Sequence, residues 1–396
     1  MSISGDRGAA ALRSLIRASH YAGPDDLPRL AQEAGRHLGA DRTVIYRVDY
    51  DQVLLVPLVD GPNRAGDPVQ IEGTLAGRAF AELVRSDSRA AAGWTLWLPL
   101  LDGTERLGVI EFTFGRAAQA DDRLRDDCAE VATLIAELLI TRSSYGDAIE
   151  SARRRVPLTL AAELQWHLLP PLTFINPRVG ISGVLVPTAD VAGDSFDYAI
   201  NGDVAHVAIV DAMGHGLEAT LLSSVALGAL RNARRSGLGM LETVSAMDRG
   251  VAAQFGPEKF VTAIVAELDA GTGVWRWVTC GHPPALLVRQ HRVVKMLDEA
   301  VGPPLGLPLG DRETSEERLE PGDRLLLYSD GVVEARNDAG EFFGTERLVE
   351  FVSKEALAGR PVPETLRRLN LAILAHQAGA LQDDATTVLV ELRSRR

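Results

Sequence analysis

Between residues 193 and 212 the chain reads as two runs rich in apolar and β-branched residues, split by Asn201-Gly202. Asn-Gly accepts the positive φ of a tight primed turn, so residues 195–200 and 204–210 predict an antiparallel hairpin. One arm opens at Asp194, just after a glycine, and the other ends at Asp211 after Val207-Ala208-Ile209-Val210. Folding this hairpin sets two carboxylates side by side at the rim of a core. Upstream, residues 9–18 form a short amphipathic piece that ends near Gly23-Pro24. Behind Asp25-Asp26, Leu27, Leu30, Ala31, Ala34 and Leu38 recur at helical spacing. Residues 43–50 and 52–58 alternate as strands, residues 74–84 predict a helix, and strands 95–100 and 106–114 are joined by Asp102-Gly103. From 120 to about 167 the pattern is mostly helical. Leu124, Cys128, Val131, Leu134, Ile135, Leu138 and Leu139 make an apolar stripe, which Ile149, Val156, Leu160 and Leu164 continue past a break at 143–146. Pro157 should interrupt it.

After Pro170-Pro171 the pattern predicts a strand over 179–187, the hairpin, and a helix over 215–235 with Leu217, Leu221, Leu222, Val225 and Leu230 on its buried side. A helix over 241–255 and strands 260–268 and 274–280 follow. A second hairpin joins 285–289 to 292–296 around Gln290-His291. Strands 324–329 and 387–392 enclose helices 345–357 and 363–379. Antiparallel hairpins with two helix pairs predict an α+β architecture of two packed sheets with helices outside. The domain limits read as an N-terminal segment 1–24, a mixed domain 25–143, a helical linker 144–170 and a second domain 171–396. A linker helix has little core of its own, so its stripe predicts a parallel homodimer, with intramolecular packing as the alternative. The linker end, 160–169, is placed to position the hairpin and so to let the upstream domain gate it.

The 396 residues, 46% of them hydrophobic, are enough for more than one buried core. A formal net charge of -13 argues against nucleic acid and anionic membranes as partners, since phosphate backbones need clustered Lys and Arg. Only Cys128 and Cys280 are present, with no metal-type or disulfide-type spacing, which fits a reducing compartment. The start lacks a basic-then-apolar leader, and no run of eighteen apolar residues occurs, so the expected location is the cytoplasm. His20 reads as a surface residue and Arg153-Arg154-Arg155 as a solvated face.

Two further acidic turns add to the hairpin. Leu325-Leu326-Leu327-Tyr328-Ser329-Asp330-Gly331 is a strand ending in aspartate, and Asp383-Asp384 opens the last strand. Aspartate beside glycine is ordinary turn chemistry. Four strand ends each presenting a carboxylate, without His or Cys partners, instead suit a hard divalent cation, Mg²⁺ or Mn²⁺ rather than zinc.

The motifs GDSFD (193–197), DAMGHG (211–216), LYSDGVVEA (327–335) and DDAT (383–386), in this order, resemble the SpoIIE/RsbU branch of the PPM (PP2C-like) protein phosphatases. TCGHPPALLV (279–288) and LQWHLLPP (164–171) resemble stretches of that branch as well. The likeness covers about residues 155–393 and implies an α-β-β-α sandwich holding two divalent ions. By resemblance Asp211 bridges both ions, Asp194 and the backbone carbonyl of Ala212 serve one, and Asp330 and Asp383 serve the other. Asp384 is the alternative to Asp383. The implied reaction is hydrolysis of phosphoserine or phosphothreonine by direct attack of an activated water. His215 is a candidate general acid, and a helix starting beside it would favour a phosphate. Cys280 reads as a buried strand-end residue and His282 as ordering the turn 281–284. Departures are Ala192 and Ser195-Phe196 where relatives carry GGDWYD, Ala212 in place of valine, and no arginine matching the phosphate-binding one of eukaryotic members.

The upstream order of helix, two strands, helix, two strands and a long helix resembles a GAF domain, with no cysteine in a recognisable chromophore position. Together the two resemblances imply a partner-switching regulator. Its substrate would be a phosphorylated STAS-domain antagonist of an anti-sigma factor, and a small-molecule or protein signal would act at the GAF-like domain. No kinase-type ATP box accompanies the motifs, so an opposing kinase is not expected on this chain. A pseudophosphatase acting as a signal-dependent binding scaffold is the alternative.

Overall fold

The computed structural model describes residues 7–59, 66–91, 93–116, 121–186, 193–307, 310–377 and 384–394. The chain divides into two compact units that meet in sequence between Pro157 and Leu158.

The first unit runs α1 (Arg7–Ser19), α2 (Leu27–Leu38), β1 (Arg42–Val48), β2 (Leu54–Leu58), β3 (Val69–Gln70), α3 (Leu75–Glu82), β4 (Ser86–Ala90), β5 (Gly93–Asp102), β6 (Glu105–Gly115), α4 (Asp122–Ser143) and α5 (Ala148–Arg153). Its strands form one sheet in the order β3-β2-β1-β6-β5-β4. Local chemistry sets the helix ends: the Thr74 and Asp121 side chains accept the Gly77 and Leu124 amides at 3.0 and 2.7 Å. Gly39, at φ 88°, closes α2 in the left-handed conformation that glycine adopts without strain. One sheet face buries Ile45, Leu96, Leu98 and Phe112 under α1, α2 and α4, and the other buries Tyr46, Val48 and Val109 under α3.

The second unit runs α6 (Leu160–Leu168), β7 (Thr173–Ile175), β8 (Val179–Val186), β9 (Asp194–Asn201), β10 (Val204–Ala212), α7 (Gly216–Arg235), α8 (Met240–Phe255), β11 (Val261–Asp269), β12 (Val274–Cys280), β13 (Ala285–Arg289), β14 (Arg292–Leu297), β15 (Val301–Gly302), β16 (Ser315–Arg318), β17 (Arg324–Tyr328), α9 (Asp330–Val333), α10 (Gly344–Leu357), α11 (Val362–His376) and β18 (Ala385–Leu392). Two sheets result, ordered β15-β12-β11-β10-β9 with β16 beside β12, and β14-β13-β17-β18-β8-β7. Strand alternation builds four layers. Val207, Ile209, Phe196, Ile264, Trp275 and Trp277 of the first sheet meet Ile181, Leu325, Leu327, Val388 and Val390 of the second in a central core. The intervening residues face outward: Ala208, Val210 and Val265 under α7 and α8, and Val184, Leu326 and Leu389 under α10 and α11. The expected α-β-β-α sandwich is therefore present.

Several expectations need correction. The segment 1–24 is no appendage, because α1 buries Ala11 and Leu15 in the first unit's core. The helical stripe across 144–170 is divided: Ile149 on α5 belongs to the first core, whereas Val156, Leu160 and Leu164 are exposed. Arg153 is engaged rather than solvated, lying over the Tyr50 ring and bonding Glu150 at 3.3 Å. On α7, Leu222 and Leu230 are buried as expected, but Leu217 and Leu221 face outward, and Ala219, Ala226 and Leu227 are buried beside them. Small residues at 219 and 226 let that helix lie close on the sheet, which large side chains would prevent. The short strands β3, β4, β7, β15 and β16 were not legible because they are mostly two to five residues long without alternation.

The central core is tight where β8 crosses Phe196. A Cβ on Gly183 would fall 2.3 Å from that fully buried ring. Gly183→Ala is expected to cost about 1–3 kcal/mol of overpacking. The Gly183→Ala/Phe196→Leu double variant should be less destabilised than the sum of the two single changes, read from urea unfolding midpoints.

Candidate active site

The β9–β10 hairpin pairs Asp194 directly opposite Asp211, with the turn at Gly202 in the left-handed region at φ 63°. The second sheet brings its own chain ends to the same place. β17 and β18 are antiparallel with Tyr328 opposite Thr387, so Ser329 and the residues just before β18 emerge together. The Ser329 hydroxyl donates to Asp194 Oδ2 at 2.6 Å and accepts the Thr386 amide at 3.1 Å, and the Ser329 amide donates to the Thr386 carbonyl at 3.0 Å. Asp384 Oδ2 accepts the Gly193 amide at 3.0 Å. Gln165, on α6 and buried, donates its amide to Asp384 Oδ2 at 3.1 Å and to the Asp194 carbonyl at 2.6 Å. Thr159 starts that helix by accepting the Ala162 amide at 3.2 Å.

Three carboxylates thus act on one another. Burial first, then the like charges of Asp211 and Asp384, hold the Asp194 carboxyl well above the usual carboxylate range, against the hydrogen bond from Ser329. Backbone oxygens join them. A Cβ on Gly193 would stand 2.8 Å from the Ala212 carbonyl oxygen and 3.6 Å from that of Gly214, so glycine keeps open a space that both carbonyls border. The donor chemistry is all oxygen, which fits a hard divalent cation. Among the described residues alone, no cluster of three or more His, Cys, Asp or Glu gathers into a metal cage. Asp383, the expected ligand from the last acidic turn, lies outside the described residues.

The other candidates fall as follows. Asp330 is exposed and is the first residue of α9, immediately after Ser329. His215 is exposed at the N-cap of α7, and its side chain makes no capping bond. Cys280 is buried at the end of β12, with its thiol pushed up to about 12 by burial, so it is no nucleophile. His282 is buried with Nδ1 2.8 Å from Thr262 Oγ1, and burial pulls its imidazole down to about 3, which leaves it neutral and structural. The neutral partners Gln165, Ser329 and the Gly193 amide were missed as site residues. A glutamine inside an otherwise apolar helical pattern and a serine preceding Asp-Gly were the available signals.

A four-layer sandwich with carboxylates converging at one end of both sheets defines the PP2C-like class. The fold is similar to that of the SiaA-PP2C domain of Pseudomonas aeruginosa, at 20% identity and a TM-score of 0.51 over 59% of this chain and 94% of that one. Residues 201–393 match the family "Stage II sporulation protein E (SpoIIE)". The chain is 24% identical to "Phosphoserine phosphatase RsbU" of Bacillus subtilis (strain 168) over 234 residues, which is 59% of this chain and 69% of that protein. It is 29% identical to "Phosphoserine phosphatase RsbP" of the same organism over 184 residues, 45% of each chain. The second unit is thus a PP2C-like phosphatase domain of the SpoIIE/RsbU type.

Gln165 makes a testable contact. Gln165→Leu removes a donor from two buried acceptors and is expected to lower the second unit's stability by about 1–3 kcal/mol. Gln165→Glu should cost more, because it sets another carboxylate against Asp384. Metal-free urea unfolding of both variants checks the order.

Proposed function

We propose that this chain is a metal-dependent phosphoprotein phosphatase acting on phosphoserine or phosphothreonine. The observation that carries the reading is the convergence of Asp194, Asp211 and Asp384 from both sheets into one end of the sandwich, beside the carbonyls of Ala212 and Gly214. Asp194, Asp211, Asp330 and Asp383, with the Ala212 carbonyl, would hold two divalent ions, Mn²⁺ or Mg²⁺. Such ions, when bound, supply Lewis-acid polarisation of water and of phosphoryl oxygens. The chain's own part is positional. Ser329 fixes the rotamer of Asp194 through its Oδ2. The Gly193 amide and Gln165 fix Asp384, so the last acidic turn is held at the head of β9. His215, exposed at the start of α7, would hand a proton to the leaving serine or threonine oxygen.

The likeness to phosphoserine phosphatases RsbU and RsbP supports the phosphoserine chemistry; the substrate we infer is a phosphorylated STAS-domain protein in a cytoplasmic partner-switching pathway. The first unit, with its GAF-like element order, is the regulatory module and receives the signal. Homodimerisation through 144–170 rests on the exposed Val156, Leu160 and Leu164, and light scattering at micromolar concentration reads it directly. A binding scaffold without turnover is the competing reading, and one assay separates the two.

The purified chain should release phosphate from an aryl phosphate and from a phosphoserine STAS protein only with Mn²⁺ or Mg²⁺. Asp211→Ala should lower that rate more than ~100-fold, since losing even a group that only orients a metal ligand costs about 10–100-fold. Activity that survives exhaustive chelation would overturn the metal-dependent reading, and a folded, metal-replete chain without turnover would favour the scaffold.

A further inference from the structure

At the C-terminal end of α7 lies a cleft of about 590 Å³, bordered by Pro170, β9 residues between Asp197 and Asn201, and three arginines, Arg231, Arg234 and Arg235. Along α7 the arginines stand 15 to 19 residues beyond Gly216, about 22–28 Å along the axis, whereas Asp197 on the cleft's floor lies three residues, about 10 Å, along β9 from Asp194. The arginines stand at i, i+3 and i+4 on the last turns and share one face. Arg231 binds Asp197 Oδ1 through Nε and Nη2 at 3.0 and 2.8 Å, and its Nη2 also donates to the Leu168 carbonyl at 2.6 Å. Arg234 Nη1 reaches Asp197 Oδ2 at 2.8 Å. Asp197 is buried, while Arg235 is exposed and bonds no described residue.

Three guanidiniums against one lining carboxylate leave two positive charges in a protein whose net charge is -13. Arg231 Nη1 and Arg234 Nε and Nη2 donate to no described residue, so the cleft offers planar donors already oriented by Asp197. An excess of two charges matches a phosphate monoester, which is close to dianionic near neutral pH. The volume exceeds what a bare phosphate fills and suits a small organic ligand. The C-terminal end of a helix disfavours anions, so the affinity has to come from these side chains. We propose that this cleft is a binding site for a small phosphorylated molecule of nucleotide size, distinct from the catalytic end of the unit. The phosphate would lie on Arg234 and Arg235, in competition with Asp197 for Arg234.

Calorimetry on the full chain in a chelator, with inorganic phosphate, pyrophosphate and adenosine monophosphate as probes, tests this. Chelation leaves the acidic centre as a bare carboxylate cluster that repels all three. The expected result is saturable binding, tightest for the nucleotide, weakened about fivefold or more by Arg235→Gln, the loss of one charge-assisted contact. Asp197→Asn should tighten it by releasing two guanidiniums. Arg235 holds no internal partner, so its variant should fold whatever becomes of Asp197→Asn. No saturable binding of any probe, or equal binding by the parent chain and Arg235→Gln, would overturn the site.

Discussion

The structure of the second unit turns on one buried carboxyl. Asp194 sits at the mouth of the first sheet, and the hydroxyl that fixes it, Ser329, comes from the second. The same hydroxyl accepts the Thr386 amide, and the β17 and β18 ends are joined there by a backbone bond as well. This short chain of bonds pins the two sheets together where the acids gather, while elsewhere apolar packing joins them with polar contacts at the edge, such as Lys295 of β14 to Glu317 of β16 at 2.9 Å. Position of the acids and closure of the sandwich are therefore one constraint. A carboxyl held there against two like charges is strained electrostatically until a cation arrives, and the apolar core beneath supplies the rigidity that keeps it from swinging away.

The remaining layers serve that geometry. α7 begins directly after the Asp211 loop and lies on the outer face of the first sheet through Ala219, Leu222 and Ala226. The Ser223 hydroxyl bonds the Gly193 carbonyl, so the helix also fixes the residue preceding Asp194. α6 packs beside α7, and one of its side chains, Gln165, touches both the Asp194 carbonyl and the Asp384 carboxylate. A small shift of α6 would thus be felt at two acids that come from different sheets.

Much of this was legible in the sequence. The Asn-Gly hairpin, the paired aspartates at its open end and the Leu27–Leu38 helix are local patterns with a single reading, and they stand within a residue or two of the prediction. The buried side of α7 was misjudged because counting large apolar residues favours Leu217 and Leu221, whereas close helix-sheet approach selects the small Ala219 and Ala226. The contacts of Gln165 and Ser329 were illegible because they join residues 29 to 219 positions apart, and no periodicity encodes such a meeting. The division of the 144–170 stripe was invisible for a similar reason: an apolar residue gives its spacing but not which core receives it.

Strand β9 carries two buried aspartates three residues apart, and they are treated in opposite ways. Asp197 meets two arginines and is neutralised where it stands. Asp194 is met by a neutral hydroxyl and by two further carboxylates, although arginines are within the same helix-strand layer. If burial of a carboxylate were the only problem to be solved, the arginine solution would serve both positions, since an unpaired buried charge is costly. Neutral donors orient Asp194 without cancelling its charge, and the positions that could hold a counter-ion are filled with acids instead. That arrangement leaves Asp194 either to take up a proton, which its raised pKa favours, or to receive a positive charge from outside the chain, and oxygen-only donors suit a small hard cation. The contrast between two residues of one strand thus supports the proposed metal reading of the acidic end, since both share the same sheet, helix and core.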